Sequence, residues 1–484
     1  MIKKASFFVS LALSAVLSTT VNASQNDKNK LPDIGAAGGS ILSLEKERLI
    51  GNAMMKHLRA SSPILHDPVL NEYINDLGNG MVKYAKDVHY GFEFFIIRNQ
   101  EINAFAFFGG HIGIHSGLLT TAETESELAS VIAHEISHVT QRHLARRLEA
   151  QSRNQPLTMA GMISGVLLAL VNPTVGMAAI STSMAATQQA GINYTRGNEK
   201  EADRVGISLL ANSGFDPNAA PAFFGKMAEK YRYTSKPPAM LLTHPLPESR
   251  IADARLRAQS MRQQPVAPSK SFRLAKARIE ARYESNARDN ILRFQSKIDK
   301  KQYAYKEAML YGLALSYFED NQFEKAHDTL LPLLNADTNN LFYVDLMSDV
   351  LIKQKRFDRA IAMLSGLNLL MPNNQVVALN YANVLKEAGQ YAQSEVILQD
   401  YLLLNPDSFI AHDLLTTVYR KQNKTALMHM SKAEVFGLLG AYSKAVDELQ
   451  TGYNFAKDMP LAKKRIRAKI LQFQDQENKL KRLN

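Results

Sequence analysis

The sequence predicts a mainly α protein in two parts. An N-terminal α+β domain carries a small antiparallel sheet, and a C-terminal α-solenoid follows it. Three observations predict this. Short β-prone runs cluster between Gly91 and Gly117; a capped helical segment follows them; and beyond Lys306 an aromatic residue trailed by a small one recurs every 34 residues.

The first element is "MIKKASFFVSLALSAVLSTTVNAS". Lys3 and Lys4 form a basic start, Phe7 to Leu17 is apolar, and Val21-Asn22-Ala23 offers small residues for cleavage. Residues 1–23 are therefore expected to be a signal peptide, and the apolar run is too short for an ordinary membrane span. With two membranes in a bacterial envelope, the expected location is the periplasm. The absence of cysteine excludes disulfides, thiolate metal sites and thiol catalysis together. About 460 residues remain after cleavage, enough for two or three domains. A hydrophobic content of 46% indicates folded cores. The net charge of +11 sits partly in "LAKKRIRAK" and "KLKRL" near the C-terminus. Export removes nucleic acid as a partner, so a solvated helix end or an acidic surface nearby explains this charge more economically.

Phe92–Ile97, Ala104–Phe108 and His111–His115 read as an antiparallel meander, with Gly109-Gly110 making one turn. Thr124 and Glu127 then fit a capping box, which starts a helix carrying His134-Glu-Ile-Ser-His138 on its second or third turn. Asn154 to Thr195 contains no charged residue. Asn172-Pro173 cuts it into segments shorter than a membrane span, so residues 154–195 read as an apolar helical hairpin beside the site, suited to a lid or a partner-binding face. That hairpin leaves open a contact with a membrane surface.

"QQPVAPSKS" has the composition of a linker, and a charged helical stretch follows, which makes 263–305 a helical linker. In residues 306–484, Phe323, Phe357 and Tyr391 are 34 residues apart, as are Pro372 and Pro406. This is the tetratricopeptide period. Tyr442-Ser-Lys-Ala445 follows Tyr391 by 51 residues, so an extra helix around Thr425–Leu439 is expected to interrupt the array. Such an array offers a concave surface for proteins but no chemistry of its own.

The chemistry lies in residues 24–262. On a helix His134 and His138 project about 40° apart, which lets both imidazoles reach one ion. Glu135 is rotated off that axis, close enough to take a proton from metal-activated water. The third ligand is absent locally. Glu199 in "NEKEADRVG" is the best candidate, and Asp203, one turn on, would orient a ligating histidine or help handle a proton. Glu201 points elsewhere and reads as solvent-facing or structural. His111 and His115 read as structural, and His143 as a continuation of the metal helix, off the ligand face.

HEISH, "NEKEAD" and "LLTHPLPESRIADAR" together resemble the zinc metalloprotease family that includes periplasmic quality-control proteases of outer-membrane assembly. The resemblance spans about Lys46 to Leu480. It implies a zincin-type metal helix and one Zn2+ per chain at His134, His138 and Glu199, with Glu135 as base and Asp203 as assisting carboxylate. It also implies an endopeptidase and chaperone-like factor working at the β-barrel assembly machinery, promoting maturation of outer-membrane proteins or degrading stalled ones. A scaffold with a mostly silent zinc site is the alternative. "INAFAFFGGHIGIHSGLL" fits the family's strand before the metal helix. An edge strand there binds an extended substrate by strand addition, which makes Asn103, Ala104 and Phe105 substrate candidates. The resemblance further implies that the loop carrying His244 lies over the cleft. His244 then either fills the fourth metal position and keeps the enzyme latent, or contacts substrate. Arg250 either stabilises developing negative charge or caps its helix.

Overall fold

The computed structural model describes residues 42–152, 196–233, 238–262 and 265–481. The expected signal segment and the uncharged hairpin at 154–195 lie outside the described residues. Two helices, α1 (Leu44–Ser61) and α2 (Pro68–Val82), precede the strands β1 (Glu93–Ile97), β2 (Ala104–Phe107) and β3 (His111–His115). Local chemistry starts α2: Pro68 takes its first turn, and the Asp67 carboxylate accepts from the Val69 and Leu70 N–H groups, both at 3.1 Å.

The sheet is mixed, not antiparallel as expected. Its order is β1–β3–β2, with β3 antiparallel to β2 and parallel to β1. Gly109 and Gly110, at φ of 81° and 84°, make the expected turn between β2 and β3. After β1, by contrast, the chain reverses but passes over the neighbouring position, so that β3 later fills the place between β1 and β2. The sequence could not reveal this, because the strands are buried almost throughout and a continuous apolar run does not say which strand lies beside it. Gly113 explains why β3 takes the centre. A Cβ there would meet the Phe105 ring at 2.6 Å and the Phe95 ring at 2.9 Å, so glycine lets the outer strands' aromatics close over it.

After α3 (Ser116–Thr121) comes the central helix α4 (Glu125–Thr140), buried continuously from Ser126 to His138. Thr124 caps it, accepting from the Glu127 N–H at 3.1 Å, while Glu127 accepts from the Glu123 N–H at 2.7 Å. α5 (His143–Ser152), α6 (Arg196–Asn212), α7 (Ala219–Tyr231), α8 (Ala239–Thr243) and α9 (Glu248–Ser260) surround it.

The stretch 265–305 is helical over 270–284 and 287–299, but it is no spacer. α10 (Lys270–Ile279), extended by a π-turn over Glu280–Glu284, and α11 (Ala287–Asp299) bury Phe272 and Phe294 in one core with the sheet, α4 and the first repeats. Arg278 is buried with them. It donates to Asp67 at 2.7 Å and to the Tyr311 hydroxyl at 2.8 Å, and pairs with Asp345 at 2.7 Å.

The repeats are helix pairs: α12 (Lys306–Glu319) with α13 (Phe323–Ala336), α14 (Leu341–Lys353) with α15 (Phe357–Leu370), and α16 (Gln375–Glu387) with α17 (Tyr391–Leu404). α18 (Phe409–Lys421) then pairs with α19 (Thr425–Leu438), and α20 (Tyr442–Phe455) with α21 (Pro460–Lys481). No extra helix interrupts the array. Thr425 stands 34 residues after Tyr391, so α19 is the second helix of the fourth pair and Tyr442 opens the fifth. The sequence misleads because Ala445 is as fully buried as Ala326 and Ala360. The small residue marks a close helix crossing, whichever helix of a pair carries it.

The array follows the N-terminal domain along its length. Asn374 donates to Glu72 at 2.7 Å, the Phe409 ring stacks on His66 at 4.8 Å, and Lys56 donates to the Tyr442 hydroxyl at 3.0 Å. No described helix is long and apolar enough to cross a membrane.

Candidate active site

Two helices meet because one of them lacks a side chain at the crossing. A Cβ on Gly206 of α6 would sit 3.2 Å from the Ala133 carbonyl oxygen and from the His134 backbone on α4. The close approach aims Asp203 and Glu199, one and two turns earlier, at the paired histidines. Nε2 of His134 and Nε2 of His138 are 3.0 Å apart, and the two Glu199 oxygens lie 3.5 Å and 3.4 Å from them. Ligands of one tetrahedral zinc, each bound at about 2.0–2.2 Å, are separated by roughly 3.3–3.5 Å. The three groups therefore fit an ion of this kind. His244 joins them from the loop after α8, and one ligand atom from each of the four residues lies within 4.8 Å of all the others.

Second contacts fix the ring orientations. His134 Nδ1 lies 3.1 Å from Asp203 Oδ1, which leaves Nε2 for the ion. Arg250 grips Asp203 with two nitrogens, each at 2.7 Å, and reaches Glu199 at 2.7 Å through a third. That third nitrogen also donates to the Pro245 carbonyl at 2.6 Å, tying down the loop that carries His244. His244 lies 3.1 Å from Glu199 through Nδ1 and 3.5 Å from Glu135 through Nε2.

Burial works against every charge here, so the partners decide the outcome. Burial opposes an ionised Glu199, but the charges and hydrogen bonds of His244 and His134 outweigh it and hold the carboxyl well below its usual range. Asp203 is likewise held low, burial being overcome by Arg250 and His134. Glu135 differs: burial dominates and raises its pKa, only partly offset by His244 and His134. Both of its oxygens are enclosed without a hydrogen bond of normal length. The space beside His134 and His244, lined by Met227, Met240 and Leu246, is a cavity of about 10 Å³, room for about one water.

Comparison with known proteins gives this arrangement a place. A model of peptidase family M48 matches residues 68–258, and a tetratricopeptide repeat model matches 351–418. The beta-barrel assembly-enhancing protease of Escherichia coli K12 is 40% identical over 478 residues, covering 99% of this chain and 98% of that one. The chain belongs to peptidase family M48. The Yersinia pestis protein of the same name is 40% identical over 454 residues, 94% of this chain and 92% of that one. A Vibrio cholerae relative carrying the name in provisional form is 44% identical over 456 residues, 94% of each chain.

In this M48 peptidase the residues singled out from sequence fall in two groups. His134, Glu135, His138, Glu199, Asp203, His244 and Arg250 come together, all buried. Asn103, Ala104 and Phe105 lie at the sheet's outer strand β2, but all three are buried, and Phe105 packs its ring against Phe95 and Phe107. The Asn103 amide is buried without a hydrogen bond. Arg250 does not cap α9; its guanidinium is committed to the two carboxylates. His143 does not continue the metal helix either. α4 stops at Thr140, and His143 begins α5 with its ring against His138. Glu201 is not merely solvated, for it receives His143 and Arg146. His111 lies between Asn52 and Glu93, away from the ligand set.

Proposed function

We propose that this chain is a zinc-dependent endopeptidase of the periplasm, with one Zn2+ per chain. Its substrates are unfolded or stalled outer-membrane β-barrel proteins, and its repeats engage the β-barrel assembly machinery. The observation that carries the reading is the convergence of His134, His138 and Glu199 with Glu135 beside them, in a chain 40% identical over almost its whole length to a beta-barrel assembly-enhancing protease. Bound zinc would supply Lewis acidity and a water of lowered pKa.

The rest is done by the chain. Glu135, whose pKa burial raises, is poised to accept a proton from the attacking water and hand it to the departing amine. Asp203 keeps the His134 ring turned to the ion, and Arg250 keeps Asp203 and Glu199 ionised. An extended segment adds to the outer edge of β2 along Asn103, Ala104 and Phe105 once that buried edge is uncovered. His244 sits at the remaining corner of the ligand set and within 3.5 Å of Glu135, so it blocks water and occupies the base at once. The resting enzyme is therefore held at low activity, and outward movement of the Pro245–Pro247 loop raises it.

A chaperone or assembly scaffold with a latent site is the second reading, favoured by the enclosure of all four candidate ligands. Metal analysis of wild type beside His134→Ala, with casein cleavage on the same samples, tests the first. One zinc per chain and cleavage, both lost in the variant, support it. Cleavage that survives without metal would overturn it.

A further inference from the structure

The zinc reading leaves one enclosed group without a task. His143 has no exposed surface, yet it is off the metal helix. Arg142 before it adopts φ +50°, a conformation uncommon outside glycine. That turn is held in place from α1. Arg142 donates to the Leu42 carbonyl at 2.7 Å and to the Glu47 carboxylate at 3.0 Å. The chain thereby doubles back, and His143 Nδ1 comes to lie 2.8 Å from His138 Nδ1. On its far side His143 Nε2 lies 3.1 Å from Glu201 Oε2, which also accepts from Arg146 at 3.0 Å.

The protons distribute in one consistent way. A histidine that offers Nε2 to a metal keeps its proton on Nδ1, and that N–H needs an acceptor. Nδ1 of His143 serves as that acceptor if its own proton is on Nε2, where Glu201 receives it. Every donor then meets an acceptor. The arrangement repeats the one around His134, where Asp203 takes the Nδ1 proton and Arg250 holds the carboxylate. Each histidine of the pair is thus backed by a carboxylate clamped by an arginine, with one ring interposed in the His138 chain.

We propose that His143 and Glu201 are positioning residues for metal binding. They form a chain, His138–His143–Glu201, that fixes the His138 tautomer with Nε2 toward the ion, and the left-handed turn at Arg142 serves to close it. The proposal rests on the zinc reading above. A ring that merely fills space is the competing account, and acceptor chemistry separates the two.

The test is zinc affinity of the full chain by competition with a chromophoric chelator, with circular dichroism as the control for folding. His143→Ala is expected to weaken zinc about 10- to 100-fold. His143→Asn places an amide oxygen where Nδ1 stood and should recover most of that loss, whereas His143→Leu, which fills the space without an acceptor, should not. Glu201→Ala, at a half-buried position, is expected to weaken zinc about ten-fold with the fold intact. Wild-type affinity in both His143→Ala and Glu201→Ala overturns the proposal, as does recovery by His143→Leu equal to that by His143→Asn. A wild-type chain that binds no zinc would sink the metallopeptidase reading and this chain of bonds with it; tight wild-type binding with unchanged variants sinks the positioning role alone.

Discussion

Arg250 donates to the carbonyl of Pro245, the residue after His244, from the same nitrogen that lies 2.7 Å from Glu199. One guanidinium therefore holds both the latch and the carboxylates behind the metal site. These two duties make opposite demands on a variant. If Arg250 only pinned the loop, Arg250→Ala would resemble His244→Ala, which is expected to raise casein cleavage and self-cleavage. With Asp203 and Glu199 left buried and without their guanidinium, removal instead costs about 3–5 kcal/mol of local stability. Cleavage by Arg250→Ala should fall, and the double variant with His244→Ala should stay below the His244→Ala single. A double variant as active as that single would show the loop contact to be the only role.

Glu135 separates chemistry from scaffolding. Its carboxylate is fully buried and lies outside the His134–His138–Glu199 triangle, so replacing it with an isosteric amide leaves those ligands in place. Glu135→Gln should keep zinc at wild-type stoichiometry while lowering casein cleavage about 100-fold or more. An outer-membrane assembly defect of a deletion strain that Glu135→Gln still corrects would assign that activity to the repeats. Loss of zinc in this variant would instead place Glu135 among the ligands.

What could be read in advance divides along a physical line. His134, Glu135 and His138 were legible because helical spacing alone sets their relation, and the repeats because a 34-residue period survives substitution. Glu199 required a partner sequence to make an ordinary charged helix face meaningful. The neighbour of β1 was not legible, because strand pairing is decided by contacts made after the chain has formed all three strands. Nor was His143. Nothing in "HVTQRHLA" announces a break: no glycine or proline ends α4, and the turn is enforced by Glu47, 95 residues upstream of Arg142.

Gly206 offers a test of how the two site helices are held together. An added methyl would lie 3.2 Å from the Ala133 carbonyl and the His134 backbone, closer than a side-chain carbon normally sits. Alanine favours helix over glycine by about 1 kcal/mol, so Gly206→Ala sets that gain against a push that moves Glu199 off the histidines. Gly206→Val adds bulk and loses the propensity gain. Zinc affinity should fall modestly in Gly206→Ala and at least ten-fold in Gly206→Val, read by chelator competition. Equal wild-type affinity in both would mean that the crossing does not set the ligand geometry.

The junction between the two domains predicts an acid-sensitive stability. Asp67 caps α2 with one oxygen and with the other accepts Arg278 at 2.7 Å and the Tyr283 hydroxyl at 2.6 Å. Burial alone would raise its pKa, but Arg278 and Arg282 outweigh burial and hold it below the ordinary value. A carboxyl depressed in the native state stabilises folding above its unfolded pKa, and the contribution fades as pH falls through the lower native value. Asp67→Asn keeps the helix cap, since asparagine caps as well as aspartate, and removes only the charge facing Arg278. Urea unfolding should therefore show Asp67→Asn less stable than wild type by about 3 kcal/mol at pH 7, a gap that narrows steadily once the pH drops below about 4. A gap that stayed constant from pH 7 to pH 3 would locate the loss in packing, not in the ion pair that joins α2 to α10.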